Sequence, residues 1–281
     1  MLAKEVPARE EKGWPPKIPS SIFEFAFFAD WFGMLNYLEE MAMPENWNFR
    51  TPSPERKNQR NPILENYVLH TFGRLAKEYN EAPDQATRNK KIFINGNKCC
   101  FNTGLMTRNH KDIYAYFETN PTPGRQPWIF KGFWDDSSPY LADFHPLPLR
   151  AVYFKDISDL VYDTTLELRV NTAYILNDAL NRGRIPEELR DLPYLPILFE
   201  GAIQFAIKKV RANFRAAVPQ YYQDKIQFLL PLSLRHPDKV DLAFAVAKQD
   251  GYYIGTTCLT LDMAYNNARL IAKPDVSWLT I

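Results

Sequence analysis

The sequence predicts an α+β protein, with an N-terminal helical, winged-helix-like unit followed by a mixed α/β unit that ends in an antiparallel meander. Three observations lead there. Apolar residues recur at helical spacing over residues 22–41 and 62–80. Residues 91–101 carry a hairpin signal centred on Asn95-Gly96. Residues 225–261 hold three strand-like segments divided by turns. The expected division is an extended arm over 1–20, a helical and wing-like unit over 21–105, and a mixed α/β unit over 106–281. One continuous domain is the alternative.

The elements follow in order. Pro7, Pro15, Pro16 and Pro19 among charges make 1–20 an arm. Ser20 or Ser21 caps a helix whose stripe is Phe23, Phe27, Phe28, Trp31, Leu35, Leu38 and Met41, and Pro44 ends it. A polar loop containing Pro52 and Pro54 leads to Asn61-Pro62, an N-cap with proline at N1. Ile63, Tyr67, Leu69, Phe72, Leu75 and Tyr79 then form the stripe of the next helix, and a polar loop follows it. Asn-Gly suits a type I′ turn, whose central residues need positive φ. Asn102-Thr103-Gly104-Leu105 either faces a ligand or simply leaves the hairpin, with Gly104 supplying an unusual φ. Residues 113–117 and 128–134 read as strands. The aromatics of the second are sheet core or base-stacking groups.

Residues 166–171 alternate, which places Glu167, Arg169 and Asn171 on one face, expected to be solvated. Residues 173–180 look helical, and 198–217 form the longest helix. Its basic side carries Lys208, Lys209, Arg211 and Arg215, which also suit the negative end of the helix dipole. After a break at 218–222, strands are expected over 225–234, 239–248 and 252–261. Asp262 caps a closing helix over 263–272, and Pro274 stops it.

Composition narrows the function classes. Apolar residues make up 46% of the 281 residues and aromatics 14%, enough for a large core. Thirty-four basic residues against 33 acidic ones give a net charge of +1. That balance argues against broad electrostatic capture of duplex nucleic acid and leaves room for a local basic groove. Cys99, Cys100 and Cys258 form no disulfide framework, which suggests a reduced, cytoplasmic chain. They lack the spacing of a zinc site, so no metal is expected. No apolar run approaches the roughly 18 residues of a membrane span. There is no P-loop, GxGxxG, GxSxG or HExxH motif, so no cofactor is expected. His70, His110, His145 and His236 are scattered, which disfavours a paired-histidine nuclease.

What remains is a cluster of polar residues. Arginine and lysine hold phosphate, and amides both donate and accept. Arg211, Asn213, Arg215, Gln220, Tyr221, Gln227, Asn266, Asn267 and Arg269 are candidate ligand-binding residues, with Asn102 and Thr103 beside them. Asp262, Tyr265, Asn266 and Arg269 share one helical face. Lys225, Asp262 and Tyr265 are the catalytic candidates if the chain is an enzyme.

Several strings here resemble a known family. "AVPQYYQDKIQFLLPLSL", "LTLDMAYNNARLIAKPDVSWL" and "CFNTGL" are similar to the bacterial family called domain of unknown function 3825, as are "IYAYFE", "PWIFKGF" and "VRANFRAAVPQYY". The resemblance spans about residues 21–279. It implies a connection with RNA only by association, through the RNA-binding modules that accompany some members, and it transfers no catalytic residue. The expected function is therefore a nucleic-acid-associated or nucleotide-binding protein, with RNA or a nucleotide as partner and no membrane. The alternatives are a phosphate-handling enzyme acting on a nucleotide or RNA end, and a structural or protein-interaction module. These expectations share one spatial premise: the basic helix before Pro219 and the amide-rich final helix line a common cavity.

Overall fold

The computed structural model describes residues 17–51 and 60–280. Most of the expected arm, and Pro52 and Pro54, lie outside the described residues.

The expected first helix is two helices separated by a strand. Helix α1 covers Ile22–Phe25, strand β1 Ala26–Phe27 and helix α2 Trp31–Met41. The break has a tertiary cause, because Ala26 and Phe27 pair in parallel with Trp128 and Ile129. Asp30 restarts the helix by accepting a bond from the Gly33 amide at 2.9 Å. A Cβ at Gly33 would lie 2.1 Å from an Asp30 carboxylate oxygen, so the glycine makes room for the cap.

Helix α3 runs over Pro62–Glu81, with proline at its start as expected. Asn61 does not cap it through its side chain. Its φ is 59°, and its amide instead donates to Asn36 (3.3 Å) and Glu39 (2.7 Å). The loop after α3 holds a short helix, α4, over Gln85–Asn89, capped by Asp84.

Strands β2 (Ile92–Asn95) and β3 (Lys98–Met106) form the expected hairpin. It is not a free two-stranded wing. With β4 (Asp112–Thr119), β5 (Trp128–Asp135) and β1 it builds a five-stranded sheet of order β1-β5-β4-β3-β2. The boundary expected near residue 105 therefore falls inside β3, and one sheet continues across it.

The second sheet begins with β6 (Glu167–Arg169). Glu167 and Arg169 are exposed and ion-paired at 2.8 Å, as a solvated face requires. The expected helix over 173–180 is split into α5 (Thr172–Asn177) and α6 (Ala179–Arg184), because Asp178 ends one and caps the other. Helix α7 covers Leu195–Ala212, and Asn213 then caps a 3-10 turn over Phe214–Ala216. The expected break is strand β7 (Val218–Tyr222), followed by the meander β8 (Lys225–Leu232), β9 (Leu242–Gln249) and β10 (Tyr252–Leu259). The order in this sheet is β6-β10-β9-β8-β7. Helix α8 closes the fold over Leu261–Arg269, and Thr260 rather than Asp262 caps it.

Residue alternation fixes the layers. Phe228, Leu230, Phe244 and Val246 turn to one side of the second sheet and share a core with Phe199, Ala206 and Val210 of α7. Leu229, Ala243 and Ala245 turn to the other side and share a core with Ala264 and Ala268 of α8. That second core also takes Ile63, Leu64 and Phe72 of α3 and Phe101, Ala115 and Phe117 of the first sheet. Helices α3 and α8 thus lie between the two sheets. Helix α7 lies outside, with a sheet between it and α8. The amide-rich face of α8 and the body of the basic helix are thus on opposite sides of that sheet. Only Phe214 and Arg215, just after α7, share a hollow with the end of α8, which narrows the premise of a common cavity to that corner.

The cap at Asp30 should be measurable. Asp30→Ala is expected to destabilise the protein by about 0.5–2 kcal/mol in urea unfolding, with an unchanged far-ultraviolet spectrum.

Candidate functional site

The polar residues of α8 reach several different partners. Asn267 donates to Gln220 (3.1 Å), and Gln220 donates to Gln227 (3.0 Å), a buried amide chain that joins α8 to β7 and β8. Asn266 accepts from Asn66 of α3 (3.2 Å). The Asp262 carboxylate accepts from the backbone amides of Arg50 and Thr51, each at 3.0 Å. Asn102 and Thr103 are also engaged internally. Asn102 accepts from the Gly104 amide (2.8 Å) and donates to Asp112 (3.0 Å). Thr103 donates to the Ile113 carbonyl (2.7 Å) and accepts from the Leu105 amide (3.2 Å).

These last bonds build a bulge. Asn102 pairs with Tyr114 and Met106 with Asp112, and β3 carries extra residues between those pairs. Gly104 sits in the bulge with φ +77°, and a Cβ there would come 2.4 Å from the Tyr67 hydroxyl. Only glycine lets the bulge close on α3 in this way.

Tyr265 and Arg269 meet at a single carboxylate. Glu45, in the connection between α2 and α3, accepts from the Tyr265 hydroxyl (3.0 Å) and from Arg269 Nε (2.6 Å). The side chains of Arg269 and Glu45 are only 11% and 6% exposed. The guanidinium lies 4.8 Å from the Trp47 ring centre and 4.6 Å from that of Tyr67. Burial alone would lower its pKa, but the bond to Glu45 and its other neighbours outweigh that and hold it above its ordinary value. Burial, and then Glu45, push the Tyr265 phenol up, so it remains a proton donor at neutral pH.

Arg269, Glu45, Trp47, Tyr67 and Gly104 all line one hollow of about 380 Å³ between α3, β3 and α8. Its charged groups are Arg150, Arg269 and Lys273 against Glu45. Only Nε of Arg269 makes a hydrogen bond. Nη1 and Nη2 have no hydrogen-bond partner among the described residues. The buried Trp47 Nε1 has none either. A guanidinium fixed by a carboxylate and two rings, with its terminal nitrogens unengaged, matches the two-pronged recognition of a phosphate or carboxylate.

The other sequence candidates lie elsewhere. Lys208, Arg211 and Arg215 are exposed near the end of α7, and Lys209 donates to the Pro237 carbonyl (2.8 Å). Asn213 accepts from the Arg215 amide (3.2 Å). Lys225 is exposed at the tip of the β7–β8 hairpin. Tyr221 accepts from Arg74 and donates to Asp224, both at 2.8 Å, fastening that hairpin to α3. A larger groove of about 890 Å³ takes in Arg50, Arg235 and Asp262. There Arg235 is bound to Glu188 and Asp241, and Arg50 donates to the Thr280 hydroxyl.

The family model described as Domain of unknown function (DUF3825) matches residues 38–278. The chain belongs to this family. The DUF3825 match takes in every residue that lines the hollow, from Ala42 to Lys273. No curated protein and no solved structure matches the chain.

Sequence reasoning reached Tyr265 and Arg269 but passed over Glu45, Trp47, Tyr67 as a site residue, and Arg150. The one available signal was a tryptophan in an otherwise polar loop. The buried pair makes a direct prediction. Glu45→Ala strands the Arg269 charge in the core and should cost about 3–5 kcal/mol in denaturant unfolding.

Proposed function

We propose that this DUF3825 protein binds the phosphate of a nucleotide, free or at the end of an RNA, in the hollow beside Arg269. The observation that carries the reading is the Arg269 fork, held by Glu45 and two aromatic rings, with Nη1 and Nη2 open to a ligand. Of the three cations on the lining, Arg269 is paired with Glu45 and Arg150 with Asp112, and Lys273 has no ion-pair partner among the described residues, which leaves one net positive charge to favour an anion. The volume lies at the small end of the range for ligand sites, about 300–1,000 Å³, and suits one nucleotide or part of one. Tyr153 and Thr71, 3.4 Å apart on the wall, supply hydroxyls for the sugar.

The proposal is for binding. Tyr265 is committed to Glu45 and Asp262 to the backbone at 50–51, and Lys225 sits on a distant hairpin tip.

Calorimetric titration with adenosine monophosphate, adenosine and inorganic phosphate tests the reading. The monophosphate should bind at least about tenfold more tightly than the nucleoside, a difference of about 1.4 kcal/mol. Arg269→Gln should remove that preference. Lys273→Ala, at an exposed position that leaves the core untouched, should weaken binding and reduce its salt dependence. Equal affinity for monophosphate and nucleoside, or variants that bind like the parent, would overturn the proposal.

A further inference from the structure

A second hollow, of about 230 Å³, adjoins the first. Both are lined by Ile271, Ala272 and Lys273, so they lie to either side of the same short segment. The span from Ile271 to Lys273 is at most about 7 Å, within reach of consecutive nucleotides in an extended strand. Ala272 and Lys273 are exposed along it, one with a side chain too small to obstruct a strand and the other a cation.

The second hollow carries the right chemistry for a following nucleotide. Phe214 lines it with 60% of its surface exposed, which leaves ring surface available to a base. Arg215, next to it, also lines the hollow, and its guanidinium has no hydrogen-bond partner among the described residues. Arg211 is exposed on the last turn of α7. Asp275 is the one carboxylate on the lining. The platform is fixed in place: Asn213 accepts from the Arg215 amide, and Trp278 Nε1 donates to the Ala216 carbonyl at 3.0 Å. An exposed ring on a backbone held in this way, next to Arg215, is an arrangement that can stack a base while its phosphate is held.

We infer that the ligand of the Arg269 hollow is the phosphorylated end of a single-stranded polynucleotide, which crosses Ala272 and Lys273 and stacks its next base on Phe214 beside Arg215. This inference rests on the phosphate reading of the first hollow and extends it. The first hollow takes the terminal phosphate and the second takes the adjoining base.

The test compares adenosine monophosphate with tetra-adenylates phosphorylated at the 5′ or the 3′ end, as RNA and as DNA, by calorimetry on the full chain. One phosphorylated tetranucleotide should bind about fivefold or more tightly than the monophosphate, since removing a base stack commonly costs at least that factor. Phe214→Ala should abolish the gain while leaving monophosphate affinity within about twofold of the parent, and Arg215→Ala should act in the same direction. Phe214 and Arg215 are exposed, and unchanged melting would show that the fold survives. Tetranucleotides that bind no better than the monophosphate, or a gain that persists in Phe214→Ala, overturn this inference and leave the phosphate reading standing. A parent protein that binds none of the ligands overturns both.

Discussion

The contact between Glu45 and Arg269 ties together parts of the chain that sequence holds far apart. One group lies between α2 and α3 and the other at the end of α8, 224 positions away, and both are almost wholly buried. Two charges are costly to remove from water, and the cost is tolerable only when each keeps good partners. Here the carboxylate takes two donors and the guanidinium takes one carboxylate and two rings. The pair therefore fixes where α8 ends relative to α3. It also fixes which nitrogens of Arg269 face protein and which face the hollow. A charge-assisted bond and a planar group between rings leave little rotational freedom, so the guanidinium is held in one orientation.

The surroundings serve the same end. The bulge built by Asn102 and Thr103 brings Gly104 against Tyr67, one of the two rings that hold Arg269. The amides of Gln220, Gln227 and Asn267 satisfy one another across α8, β7 and β8. These residue types suggest ligand recognition when read from sequence. In the folded protein they join layers, because a buried amide without a partner would destabilise the core. Donors without a protein partner among the described residues line both hollows: Arg269 and Trp47 in the first, then Lys273 and Arg215 along the way to the second.

Much of this was legible in the sequence. Asn61-Pro62 and the stripe after it mark α3, Asn95-Gly96 marks the hairpin, and the turns near 236 and 250 mark the meander. What escaped depended on distant partners. Ala26 and Phe27 sit in a run with perfect helical spacing, yet pairing with β5 more than 100 residues later makes them a strand. Asp30, three residues before Gly33, was the local clue to the restart. The unbroken apolar run Phe228-Leu229-Leu230 was the clue that the second sheet is buried on both faces. Such a sheet needs a helix on each side, which is why α7 and α8 are separated by it. Arg269 could be found from sequence because it shares a helical face with Tyr265. Glu45 could not, because nothing in a polar loop announces that it will be buried against a helix at the other end of the chain.

The most direct test is a crystal structure of the protein with adenosine monophosphate. The account places phosphate oxygens within hydrogen-bonding distance of Arg269 Nη1 and Nη2, with the bond from Nε to Glu45 intact. A nucleotide ordered elsewhere, for example in the groove beside Arg50 and Arg235, with the hollow next to Arg269 bare, would contradict it.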